Sequence, residues 1–168
     1  RGESCNPFMF HIEAANSMMV RAVGQYLKSE NMIQGKKWYS LTADYAFGHD
    51  LFRVAKQFVS ENGGEFVGEE LVPTDATDFS PYLLKIRQAR PDVVASNLAG
   101  NQITNFIKQY AEYGLEFPIC GFGFDTAVAW GAGEGNFSGI WPLIWHHLVD
   151  TPTSKKFVEA FKKKYGKL

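Results

Sequence analysis

The feature that most constrains this chain is a regular alternation between two hydrophobic periods. Apolar residues recurring every three or four positions mark helices, and short β-rich runs mark strands. Met19, Ala22, Val23, Tyr26 and Leu27 make one stripe over residues 15–29, with Arg21, Gln25 and Lys28 facing away. Residues 38–42 are β-rich and short enough for a buried strand. After Asp44-Tyr45-Ala46-Phe47-Gly48 a second helix carries Leu51, Val54, Ala55, Phe58 and Val59 and stops at Gly63-Gly64. Residues 66–72 read as a strand, and Ser80-Pro81 opens a third helix with Ser80 as its cap. Its stripe is Tyr82, Leu83 and Ile86, and Pro91 ends it. A strand at 92–96, a helix through Ile103, Phe106, Ile107 and Tyr110, and a strand at 119–122 follow. A Gly-rich loop at 131–139, a last strand at 140–145 and a last helix at 153–165 complete the order.

Strands alternating with single helices predict a three-layer α/β/α arrangement with a mostly parallel sheet, because right-handed crossovers place a helix between successive strands. In such sheets ligands sit beyond the carboxyl ends of the strands. The loops at 43–47, 97–100 and 122–126 are therefore the candidate site. A chain of 168 residues fits one domain of ordinary size.

The same residues exclude several function classes. Seventeen basic residues balance eighteen acidic ones, so no basic excess points to nucleic acid. Lys162-Lys163-Lys164 is read as the basic end of the last helix, where cations suit the helix dipole. No apolar run approaches the ~20 residues of a membrane span, and the polar opening Arg1-Gly2-Glu3-Ser4 is no signal peptide. There is no nucleophile elbow, Walker loop, zinc-protease motif or calcium loop. Gly121-Phe122-Gly123 follows a strand, but Asp125-Thr126 replaces the rest of a dinucleotide fingerprint. His146 and His147 sit in a segment read as extended, which points their side chains apart and away from a shared metal. His49 is read as tuning its turn rather than as a base. Cys5 and Cys120 are either paired with each other or free to pair elsewhere. No catalysis, cofactor or metal is expected.

Three segments together resemble a known family. They are Asp44-Tyr45-Ala46-Phe47-Gly48 between strand and helix; Thr77-Asp78-Phe79-Ser80 followed by Leu83-Leu84-Lys85-Ile86 and Ala89-Arg90-Pro91-Asp92; and Gln109-Tyr110-Ala111-Glu112-Tyr113-Gly114-Leu115 before a short strand. With Asn6-Pro7-Phe8-Met9-Phe10 and Phe157-Val158-Glu159-Ala160-Phe161, they resemble the type I periplasmic solute-binding proteins of the leucine/isoleucine/valine-binding kind. The resemblance implies a two-lobed protein that closes on a small molecule and delivers it to the membrane permease of an ABC-type importer. It implies a periplasmic location and a signal peptide in the parent protein. Residues 1–149 would be the second lobe with its crossing segments. Residues 150–168 would be a terminal helix that packs on a first lobe or on a partner chain, a homodimer included. A ligand-sensing domain of a receptor or regulator is the alternative use of the same fold.

The resemblance also implies contacts: Tyr45 and Phe47 in the first loop, Asn97, Ala99 and Gly100 in the second, and Phe122, Gly123, Phe124 and Asp125 in the third. Amino-acid-binding members tend to place an acid shortly after the fourth strand, where this sequence has Gly123. A glycine cannot pair with an ammonium, and a buried cation without a countercharge is costly. The expected ligand is therefore an aromatic or other hydrophobic carboxylate. An amino acid remains the alternative if Asp125 supplies the charge.

Overall fold

Lys37–Ala43 forms β1, with every residue after Lys37 buried, so this strand runs through the middle of the molecule. It pairs in parallel with β2 (Glu65–Val72) on one side and with β3 (Val93–Asn97) on the other. The short β4 (Ile119–Gly121) extends the sheet beyond β3, giving the order β2-β1-β3-β4. The structure, a computed structural model, describes residues 7–8, 10, 12–123 and 126–167.

Alternation along the strands divides the core in two. Trp38, Val93, Ala95 and Cys120 face α1 (Asn16–Ser29) and α2 (Ala46–Glu61), whose Val20, Val23, Leu27, Leu51, Ala55 and Val59 cover them. Tyr39, Leu41, Val94 and Ile119 face α3 (Ser80–Ala89) and α4 (Asn101–Glu112), packing with Leu83, Ile86, Ile103, Phe106 and Ile107. The two helical stripes on either side of one parallel sheet are the three layers that the sequence periods require. Among the described residues no helix is long and apolar enough to cross a membrane.

Several local features differ from the sequence expectations. On α1 the buried face is Val20, Val23, Gly24 and Leu27, while Ala22 and Tyr26 of the expected stripe are exposed, because the stripe sits one position round the helix. Ser80 is not the cap of α3: Phe79 occupies that position, and Ser80 is the first helical residue. The Ser80 N–H donates to Asp78 Oδ1 at 2.9 Å, so the aspartate takes the fastening role. Residues 140–145 form no strand. Ile140 makes a single parallel bridge to Cys120, and Pro142, which lacks an N–H, cannot continue the ladder. A short helix, α5 (Thr126–Gly131), follows the loop after β4. Finally, the His146 and His147 rings lie 4.1 Å apart between centroids. The chain turns there rather than extending, with the Val149 N–H donating to the His146 carbonyl at 3.0 Å.

The last helix, α6 (Pro152–Tyr165), starts at Thr151, whose Oγ1 accepts from the Ser154 N–H at 3.2 Å. It ends at left-handed Gly166 with Lys162, Lys163 and Lys164 in its final turn. Trp145 holds it to the preceding loop, donating from Nε1 to Ser154 Oγ at 3.1 Å and meeting Phe157 edge-on at 5.4 Å. From Phe157 a row of rings continues through Phe161 to Tyr165, and both ends of that row are 55% exposed.

Candidate functional site

The strand order creates a crevice at the carboxyl end of the sheet. From β1 the chain passes into α2 on one face, and from β3 into α4 on the other. Between the tips of these neighbouring strands the two connections diverge, which is the switch point where open parallel sheets take ligands.

Gly48 brings the first loop close to this point. A Cβ there would stand 2.1 Å from the Ala43 carbonyl oxygen, so α2 starts tightly against the end of β1 only because residue 48 has no side chain. The turn presents two rings, Tyr45 and Phe47, stacked 5.9 Å apart at an interplanar angle of 29°. Phe47 reaches across to the third loop: a Cβ on Gly123 would lie 3.3 Å from Phe47 Cζ. The structure therefore joins Tyr45, Phe47 and Gly123, three residues more than seventy positions apart in sequence at the extremes.

The second loop contributes Ala99 and Gly100 at the start of α4. Gly100 has φ +50°, and a Cβ there would meet nothing within 4 Å, so the backbone here borders open space. Gln102 holds this loop: its Oε1 accepts from the Ala99 N–H at 3.4 Å, and its Nε2 donates to the Pro73 carbonyl at 2.8 Å. Sequence periodicity passed over Gln102, a buried polar residue beside the apolar stripe of α4. Its one signal was its position in the first turn of a helix that leaves the candidate loop.

Asn97 and Phe122 lie beneath the crevice, not in it. Asn97 is wholly buried and donates from Nδ2 to Ser40 Oγ at 2.9 Å; Ser40 in turn shares a hydrogen bond of 2.9 Å with Thr42. These three groups sit side by side at the last rungs of β1 and β3. Phe122 is buried against Trp38, ring centroids 6.4 Å apart and interplanar angle 22°. Phe124 and Asp125 lie outside the described residues.

Charge at the crevice comes from backbone and side chains together. Neither α2 nor α4 has a side-chain cap at its N-terminus, so the positive ends of two helix dipoles meet there, although in α4 the Gln102 and Ile103 N–H groups donate to the Ala99 and Gly100 carbonyls at 3.1 Å. His49 Nε2 contacts Asp44 Oδ1 at 2.9 Å across the first loop. Asp50, next to His49, is taken by Arg53 at 2.7 Å and by Asn16 of α1 at 2.8 Å. Burial, aided by Glu70, pushes the Tyr39 phenol up to about 12, and burial raises the Cys120 thiol far above its ordinary range. Cys120 is a free thiol, and Cys5 lies outside the described residues.

The family described as periplasmic binding protein matches residues 1–168. The chain belongs to the periplasmic binding protein family. Among its relatives in this family is Leu/Ile/Val-binding protein homolog 4 of Brucella abortus, 25% identical over 98% of this chain and 40% of the relative. The amino acid ABC transporter substrate-binding protein of Pseudomonas fluorescens Pf-5 superposes with a TM-score of 0.83 at 26% identity, covering 96% of this chain and 44% of that one. The ABC transporter solute-binding protein of R. palustris in complex with benzoate gives a TM-score of 0.75 at 26% identity, covering 90% and 42%. The chain thus spans about two fifths of the length of the curated relatives it matches. These periplasmic binding proteins are named for binding, not for a reaction, and the fold of this chain superposes on theirs over 90–96% of its length.

Proposed function

We propose that this chain captures a small molecule, an amino acid or an aromatic or hydrophobic carboxylate, for an ABC-type importer, and catalyses no reaction. The crevice is read as one half of a ligand cleft, with a second lobe closing on it. The aromatic row of α6 is read as a face turned to that lobe. A periplasmic location and a membrane permease as partner follow from the same reading.

The observation that carries the ligand class is the contact between Phe47 and Gly123. Where a side chain at position 123 would project, the edge of Phe47 stands 3.3 Å from its Cβ position. On this reading Phe47, with Tyr45 stacked beside it, is the aromatic floor of the crevice, and position 123 offers no acid to hold an ammonium. Uncapped N-termini of α2 and α4 favour an anionic group instead. A flat apolar body with a carboxylate fits both halves of this description, and one of the solved relatives holds benzoate.

Calorimetry on the full-length protein tests the reading with benzoate and leucine as probes. Benzoate or a related aromatic acid is expected to bind more tightly than leucine. Sub-micromolar leucine binding that is abolished by Asp125→Ala would overturn the aromatic-acid class and leave an amino-acid carrier. Failure of every small carboxylate and amino acid to bind would overturn the reading itself.

A further inference from the structure

We propose that His49 is a positioning residue: its imidazole clasps Asp44 and so holds the turn that presents Tyr45 and Phe47. The proposal rests on the reading of the crevice as a ligand cleft and adds a residue that touches no ligand.

The geometry is local and specific. Asp44 is the first residue after β1, and its N–H is anchored to the Val72 carbonyl of β2 at 2.8 Å. His49 is in the first turn of α2, anchored in turn by its own N–H to the Tyr45 carbonyl at 3.1 Å. The contact of 2.9 Å between His49 Nε2 and Asp44 Oδ1 therefore ties the start of the loop to the start of the helix. Everything that points into the crevice from this loop lies between the two. Tyr45, not Asp44, holds the N-cap position of α2, and no side chain caps that helix. The Asp44 carboxylate, one residue earlier, is engaged by the imidazole. The clasp thus fixes the turn that carries the stacked rings.

Both partners are about half exposed, with side-chain accessibilities of 48% and 47%. Pairs of this kind contribute modestly, so the expected effect on affinity is a weakening of about two- to fivefold, not a loss. The neighbouring carboxylate of Asp50 already has partners in Arg53 and Asn16 and is not a substitute.

The test uses the full-length protein in five forms: wild type, His49→Ala, Asp44→Asn, the double variant carrying both changes, and His49→Gln, the last keeping an N–H donor. Amide hydrogen exchange over residues 44–49 is the ligand-free measurement. It is expected to rise several-fold in His49→Ala and to return towards wild type in His49→Gln, with the exchange of β1 and β3 unchanged. Affinity for benzoate and for leucine is the second measurement. Whichever probe binds wild type is expected to bind His49→Ala and Asp44→Asn two- to fivefold more weakly, with the double variant no weaker than either single one. Unchanged exchange in His49→Ala overturns the clasp. Raised exchange with unchanged affinity overturns the positioning role. If neither probe binds wild type, the cleft reading has failed, and exchange alone decides the clasp.

Discussion

Replacing Gly48 by alanine sets two physical effects against each other. Inside a helix, alanine is favoured over glycine by about 0.8–1 kcal/mol, so propensity alone makes Gly48→Ala stabilising. The structure gives the opposite sign. The new Cβ would stand 2.1 Å from the Ala43 oxygen, about 1.3 Å short of the 3.4 Å at which ordinary contact begins, and 2.9 Å from the Ala43 carbon and nitrogen. All three obstacles are backbone atoms of a strand held by neighbours on both sides, so the helix has to retreat. Overpacking typically costs about 1–3 kcal/mol, and a backbone obstacle belongs at the upper end. After the propensity gain, a net loss of about 2 kcal/mol is expected. Gly24→Ala is the internal control. There the clash is at 2.2 Å with the ring of Phe58, a partly buried side chain that can rotate, and the change should be within about 1 kcal/mol of neutral. Urea melts of the three proteins measure both, with the slope expected to stay constant. A Gly48→Ala protein as stable as wild type, or more so, would refute the close approach of α2 to β1.

Three further outcomes are expected. Phe106→Ala, which empties a fully buried position between α4 and Phe79, should cost about 3–5 kcal/mol in the same melts. Gln102→Ala strips a partner from the Val72 and Pro73 carbonyls and should cost about 1–2 kcal/mol, with faster amide exchange at 98–101. The Tyr39 phenol is raised from 10.0 to about 12, so its contribution to stability is complete below pH 10 and is lost as pH rises from there through 12. Tyr39→Phe should flatten that alkaline decline, and an unaltered slope would show that Tyr39 is not its source.

The layered sheet was legible because its cause is repetitive. Stripes such as Leu51, Val54, Ala55, Phe58 and Val59 can be buried only by a helix against an apolar surface, and runs such as 93–97 only by a strand covered on both faces. Where one residue decides the outcome, the pattern misled. Ile140 has the right chemistry for a strand, yet Pro142 leaves it a lone bridge. Residues 126–131 carry no long stripe, and the short α5 they form rests on α4, where Gly131 meets Thr104. In the site, sequence pointed to the correct loops but not to directions. Asn97 and Phe122 lie in loop-adjacent positions that pattern treats like Ala99 and Gly123. Strand alternation turns them down into the sheet layers, where Ser40 and Trp38 receive them. The meeting of Phe47 with Gly123 depends on β4 lying two strands from β1, which only the strand order reveals.

That strand order has an evolutionary consequence. The crevice wall is assembled from three segments, each carried on the end of a different strand of the sheet. A mutation that reshapes one segment leaves the other two mountings intact. With the crevice as the ligand cleft proposed above, selectivity can therefore drift by single substitutions while the scaffold stays under separate selection for folding.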